Sequence, residues 1–170
     1  GILGFGGIGM AAALVLKGMS KKNIVIIESS EEKQKMARNL GFNMVLNSID
    51  EAGSKFDLII EAAGSIESIE NGFAGLTNSG TLVFASHPET GAKISIDPHE
   101  LIKGKKIFGT WGGDVQPDED MHIIGRYLRQ SGVNLDLLLG EEFTIDDIND
   151  GLAYLDSGKP GRPLLTMNED

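Results

Sequence analysis

The sequence predicts an α/β protein built on a doubly wound parallel sheet, and three observations carry that prediction. Short apolar runs alternate with helix-length segments over most of the 170 residues. A glycine cluster, Gly4-Phe5-Gly6-Gly7-Ile8-Gly9, stands where the first apolar run gives way to a helix. An acid, Glu28, closes the next apolar run. Strands that alternate with helices pair in parallel through right-handed crossovers, and such sheets bind ligands beyond the carboxyl ends of their strands.

Gly1-Ile2-Leu3 reads as a short buried strand, and Ile8 to Leu16 as an apolar helix closed by Lys17-Gly18. Asn23 to Ile27 is a β-branched run suited to a central parallel strand. Ser29-Ser30-Glu31-Glu32-Lys33 opens a helix with a serine cap and acids in its first turn, and Gly41 ends it. Met44 to Leu46 and Asp57 to Ile60 read as strands, followed by a helix from Ser65 to Leu76. Thr81 to Phe84 and Lys106 to Phe108 complete the set of strands, the last at the sheet edge. Pro117 to Gln130 has the spacing of an amphipathic helix with Asp118, Glu119 and Asp120 in its first turn. Phe143 to Asp147 is expected to start a further helix capped by Thr144 and ending at Ser157-Gly158, and Arg162 to Met167 a terminal strand. The expected division is a dinucleotide-binding core over about residues 1–135 and a helix and strand over about 136–170.

A formal charge of −10 argues against nucleic acid or an anionic membrane surface as partner. No apolar run approaches the roughly 20 residues a membrane-spanning helix needs. The chain has no cysteine, which excludes disulfides and thiolate zinc sites within these residues and suits a cytoplasmic setting.

Gly4, Gly6 and Gly9 allow close approach of backbone to a pyrophosphate, and the helix start adds N–H groups and the positive end of a dipole. Glu28 lies about 20 residues beyond the last glycine, where a carboxylate can accept from ribose hydroxyls. The alternative is a glycine turn that serves helix–sheet packing alone. The segments expected at the same sheet edge are Ala62-Ala63-Gly64, Phe84-Ala85-Ser86 and Phe108-Gly109.

In order and spacing, GFGGIG, IVIIESSEEK, FDLIIEAAGS, GTLVFAS, IKGKKIFGTWGG and FTIDDINDGLAYLDSGKPGRPLL resemble the cofactor-binding half of a zinc-dependent alcohol dehydrogenase of the medium-chain dehydrogenase/reductase superfamily. That resemblance implies a Rossmann fold whose C-terminal segment returns to a catalytic domain. It implies that Gly7 and Ile8 donate backbone N–H groups to the pyrophosphate, with Glu28 on the adenosine ribose and Lys33 beside it. Backbone groups around Phe84 and Phe108 would hold the nicotinamide carboxamide, both side chains being core, and Arg162 would reach the pyrophosphate. Lys33 as a solvated helix lysine and Arg162 as a surface residue near the terminus are the plain alternatives. The resemblance further implies a small alcohol or carbonyl substrate, a homodimer through the edge strand, and zinc held only by an N-terminal domain that precedes the first strand. The fragment alone is then expected to be inactive, with no catalytic residue of its own. Glu28 stands where many relatives have aspartate, and its charge favours NAD over NADP, since like charges about 4 Å apart cost roughly 1–4 kcal/mol at surface-like dielectric.

Of the three histidines, His87 falls near the expected nicotinamide end as a loop residue, while His99 and His122 lack a second ligand at metal-binding spacing. Asp114, Asp118, Glu119 and Asp120 read as helix-start acids rather than a cation site. Neither Tyr127 nor Tyr154 has the lysine four residues on that a short-chain dehydrogenase needs, and Trp111 is either a packing residue or part of a cleft wall. The competing functions are a zinc-free quinone or enoyl reductase, a non-catalytic NAD-sensing module, and a methyltransferase that shares the glycine turn.

Overall fold

The computed structural model describes residues 1–167; residues 168–170, the end of the expected C-terminal segment, lie outside the described residues. Two compact units are present, Gly1–Gly132 and the residues from Val133 onward.

The first unit is a six-stranded sheet in the order β3-β2-β1-β4-β5-β6, every strand parallel to its neighbours. β1 (Ile2–Leu3) lies between β2 (Val25–Ile27) and β4 (Phe56–Glu61), with Ile2 opposite both Ile26 and Ile60. β3 (Met44–Leu46) forms one edge, and β5 (Leu76–Phe84) leads to the other edge, β6 (Lys106–Gly109). Because β1 is central, chain order reverses there: β2 and β3 lie to one side, β4 to β6 to the other. This is the Rossmann arrangement, and a crevice opens beyond the strand ends at such a reversal.

Several of the helices start at side-chain caps. In α1 (Gly7–Gly18), Met10, Ala13 and Leu14 are buried, whereas Ile8 is 44% exposed at the helix start. α2 (Glu31–Asn39) begins at Ser30, whose hydroxyl accepts from Lys33 N at 3.5 Å. α3 (Ile66–Ala74) begins at Ser65, which accepts from Ser68 N at 3.0 Å. A short α4 (Pro98–Ile102), absent from the expected elements, starts at Asp97 with proline in its first turn. α5 (Pro117–Gln130) has the expected bounds and packs on α1, where a side-chain carbon at Gly18 would come within 1.8 Å of Tyr127 O. The core centres on Ile2, Leu14, Ile26, Ile59, Ile69 and Leu82, each at most 1% exposed.

Several expectations need correction. The strand expected from Asn23 begins only at Val25, because Asn23 has φ of 63° and so leaves the extended region. α3 stops at Ala74, and Leu76 belongs to β5 instead. Gly75 ends the helix and lies against Ile49, so a side-chain carbon there would be 2.5 Å from Ile49 Cδ1. Phe108 was expected in the core but is 55% exposed, since β6 is an edge strand. Phe84 is partly buried against the core.

In the second unit β7 (Leu139–Thr144) and β8 (Arg162–Thr166) pair in parallel, joined by α6 (Ile148–Asp156). Phe143 is therefore a strand residue opposite Leu165 and not the start of a helix. Its ring meets Tyr154 edge-on at 5.9 Å. The Thr144 hydroxyl donates to Asp147 at 2.7 Å, and a 3₁₀ turn over Ile145–Asp147 precedes α6. Leu165 and Met167 are 44% and 72% exposed.

Candidate dinucleotide site

Five segments expected at one sheet edge are joined there by backbone hydrogen bonds that continue the ladders past the strand ends. Gly4 N donates to Ile27 O, Glu28 N to Leu46 O, Ala62 N to Leu3 O, Ala85 N to Glu61 O and Thr110 N to Phe84 O, all at 2.7–3.1 Å. The position of each loop is thus set by the strand beside it.

Below this row lies a cleft of about 530 Å³. Gly4, Gly6, Glu28, Lys33, Ala62 and Ala63 line it, as do Asn47, Ile49, Asp50, Ser65 and Asn71, which the sequence did not single out. Gly7, Ile8 and Gly9 continue the same loop into α1. Phe84, Ala85, Ser86 and Phe108 stand at the ends of β5 and β6, outside that cleft's lining. Arg162 is an exposed residue of the second unit, on β8.

The glycines differ in what each makes room for. Gly4 has φ of +83°, and a side-chain carbon there would be 2.7 Å from Ala63 N. Gly9 lies so close to the loop that such an atom would be 1.9 Å from Gly4 O, which is a packing constraint. At Gly6 the same atom would meet nothing within 4 Å and would project into open space at the mouth of the cleft. Helix N–H groups in the first turn lack intrahelical partners, so an anion over Gly6 would face several donors at once.

Glu28 is 8% exposed and does more than face the cleft. Its Oε2 accepts from Phe5 N at 2.7 Å and its Oε1 from Ser30 N at 2.8 Å. One carboxylate therefore ties the glycine loop to the start of α2. Each oxygen keeps further lone-pair capacity for a hydroxyl donor.

Glu61, at the end of β4, was missed by the sequence reading. Its side chain is fully buried, with Oε1 accepting from Ala63 N at 2.8 Å and Gly64 N at 2.9 Å. The Ser86 hydroxyl donates to its Oε2. The available signal was the one that marked Glu28, an acid closing an apolar strand.

Trp111 is 84% exposed, which excludes a core packing role, and its ring lies 4.3 Å from that of His87 in an edge-on contact. Asp118, Glu119 and Asp120 stand in the first turn of α5 as expected, and Asp120 accepts from Gln116 N at 2.8 Å, whereas Asp114 lies in a 3₁₀ turn before the helix with φ of 53°. Among the described residues no group of three or more His, Asp or Glu side chains could hold a metal ion. No described helix is long and apolar enough to cross a membrane.

Comparison with known proteins places this geometry in context. The family described as zinc-binding dehydrogenase matches residues 7–124. Alcohol dehydrogenase-like 4 of Arabidopsis thaliana is 28% identical over 182 residues, covering 98% of this chain and 47% of its own length. A short chain alcohol dehydrogenase from Escherichia coli CFT073, solved with NADH, shares the fold at a TM-score of 0.81 and 20% identity, covering 97% of this chain and 51% of that one. A zinc-binding dehydrogenase structure from Sinorhizobium meliloti 1021, bound to NADP, does so at 0.79 and 17%, covering 99% and 51%. The chain spans about half the length of the relatives it matches.

Proposed function

Because the chain belongs to the zinc-binding dehydrogenase family, we propose that it is the nicotinamide-nucleotide-binding part of an oxidoreductase that moves hydride between an alcohol and NAD. The observation that carries this reading is the open space over Gly6 at the start of α1, with Glu28 to one side and Ala62-Ala63 to the other. A dinucleotide whose diphosphate lies over Gly6, Gly7 and Ile8 has its adenosine toward β2 and β3, where Glu28 and Lys33 meet the ribose. Its other nucleoside then falls toward the ends of β4, β5 and β6.

The bound nicotinamide would supply the hydride acceptor and donor. The residues here bind and orient it: backbone groups of Ala62, Ala63, Phe84, Ala85, Ser86 and Phe108 hold the nicotinamide side. Since both NADH and NADP are found in structures of this fold, the preference for NAD rests on Glu28, whose charge repels a 2′-phosphate. Zinc, where the whole enzyme uses it, would come from residues outside this chain. A small alcohol or carbonyl compound is the proposed substrate class, and cytoplasm the proposed setting. The exposed edge strand β6, with Phe108 on it and Ile102 nearby at 79% exposure, suits pairing with a second copy.

Calorimetric titration of the full chain with NADH tests the reading through Gly6→Val. The added side chain has room in the fold but takes the diphosphate's place, so binding should be lost while the melting temperature is kept. Retained affinity in the folded variant would overturn the reading.

A further inference from the structure

We propose that Glu61 is a positioning residue: its buried carboxylate latches the Ala63-Gly64 turn after β4 to Ser86 after β5, and so presets the nicotinamide half of the site. The inference rests on the dinucleotide reading above and adds to it a residue with no place in direct cofactor contact.

A fully buried carboxylate is costly unless each oxygen finds donors. Here the donors are informative in their location. Two are backbone N–H groups of the turn that lines the cleft, at 2.8 and 2.9 Å from Oε1, and the third is the Ser86 hydroxyl on Oε2. No Lys or Arg pairs with Glu61 in any ion pair of the described residues. The two loops also lie close together, since a side-chain carbon added at Gly64, where φ is +89°, would come within 3.8 Å of Ser86 Cβ. Beneath them, Ala85 N donates to Glu61 O and Ala62 N to Leu3 O. Through this side chain the end of β4 holds the loop after β5. Glu28 does the matching work on the other side of β1, holding Phe5 and Ser30.

The two acids differ in what glutamine could replace. At Glu28 both oxygens accept from backbone N–H groups, so an amide nitrogen would face a donor. At Glu61 an amide oxygen can keep both turn N–H groups while the amide nitrogen donates to Ser86, whose hydroxyl can reverse its role. Glu61→Gln should therefore behave nearly as wild type, and Glu61→Ala should not.

The test compares NADH with ADP-ribose, which lacks the nicotinamide, in calorimetric titrations of the full chain. Ser86→Ala and Glu61→Ala should each weaken NADH by about tenfold, the usual worth of one lost hydrogen bond to a charged group. ADP-ribose affinity should stay within about twofold. The double variant should be no worse than Glu61→Ala, because both break one latch. Equal losses for the two ligands, no loss of NADH in Ser86→Ala, or additive losses in the double variant would each overturn the proposal. Ser86→Ala leaves the buried carboxylate with its turn donors, so the NADH comparison stands even if Glu61→Ala does not fold. Wild-type protein that takes up neither ligand would instead remove the dinucleotide reading itself.

Discussion

Glu28 holds the glycine loop and faces the cleft, and the proposed function gives it the adenosine ribose as a second task. Replacing it with alanine strips a buried N–H at Phe5 of its partner, a loss of about 1–3 kcal/mol of stability. Melting should fall accordingly. NADH should bind about tenfold or more weakly, and the preference over NADPH should shrink, because the charge that repels a 2′-phosphate is gone. Parallel titrations of both cofactors check this, and an unchanged preference would detach Glu28 from cofactor choice. The acid was legible in the sequence from its place after a strand. Its hold on Phe5 and Ser30 was not, because that depends on how far the glycine loop folds back over β2.

At the level of elements, the strand–helix alternation, α5 and the strand edge could be read from periodicity and caps. The errors arose where a local signal was overruled by pairing. Phe143 follows two glutamates that hide a strand pattern, and only the ladder to β8 makes that segment extended. Leu76 continues an apolar helix face in sequence, yet Gly75 against Ile49 turns the chain into β5. Phe108 looks like core from its apolar strand segment alone, although that strand is expected at the edge, and there it is 55% exposed. Two close approaches give predictions. Gly18→Ala pushes a methyl group into Tyr127 O, so α1 and α5 must separate, at about 1–3 kcal/mol. Calorimetric melting should fall by several degrees, at roughly 2–4 °C per kcal/mol for a chain of this size. Glu100 in α4 is held down to about pKa 2 from 4.5, first by its hydrogen bond with Lys103 and then by that with Lys105. A lowered carboxylate pKa stabilises the fold above the ordinary value, and that contribution fades as pH falls from about 4.5 toward 2. The melting difference between wild type and Glu100→Gln should therefore be constant above pH 4.5 and close below it.

For the whole molecule, strand order decides the rest. A sheet that reverses at β1 puts Glu28 and Glu61 on opposite flanks of one glycine loop, so a different carboxylate fixes the loops on each side of it. The same order leaves β6 at the edge, and sedimentation should show a dimer that Ile102→Glu weakens; a monomer at all concentrations would remove the pairing. The cleft itself was legible from Gly4, Gly6 and Glu28, while Asn47, Ile49 and Asp50 entered it through the chain's return from β3 to β4, which no motif marks. The most direct measurement is a crystal structure of the full chain grown with NADH. The diphosphate should rest over Gly6, Gly7 and Ile8, with the adenosine ribose hydroxyls within hydrogen-bond distance of Glu28. A dinucleotide bound anywhere else on the molecule would contradict the account.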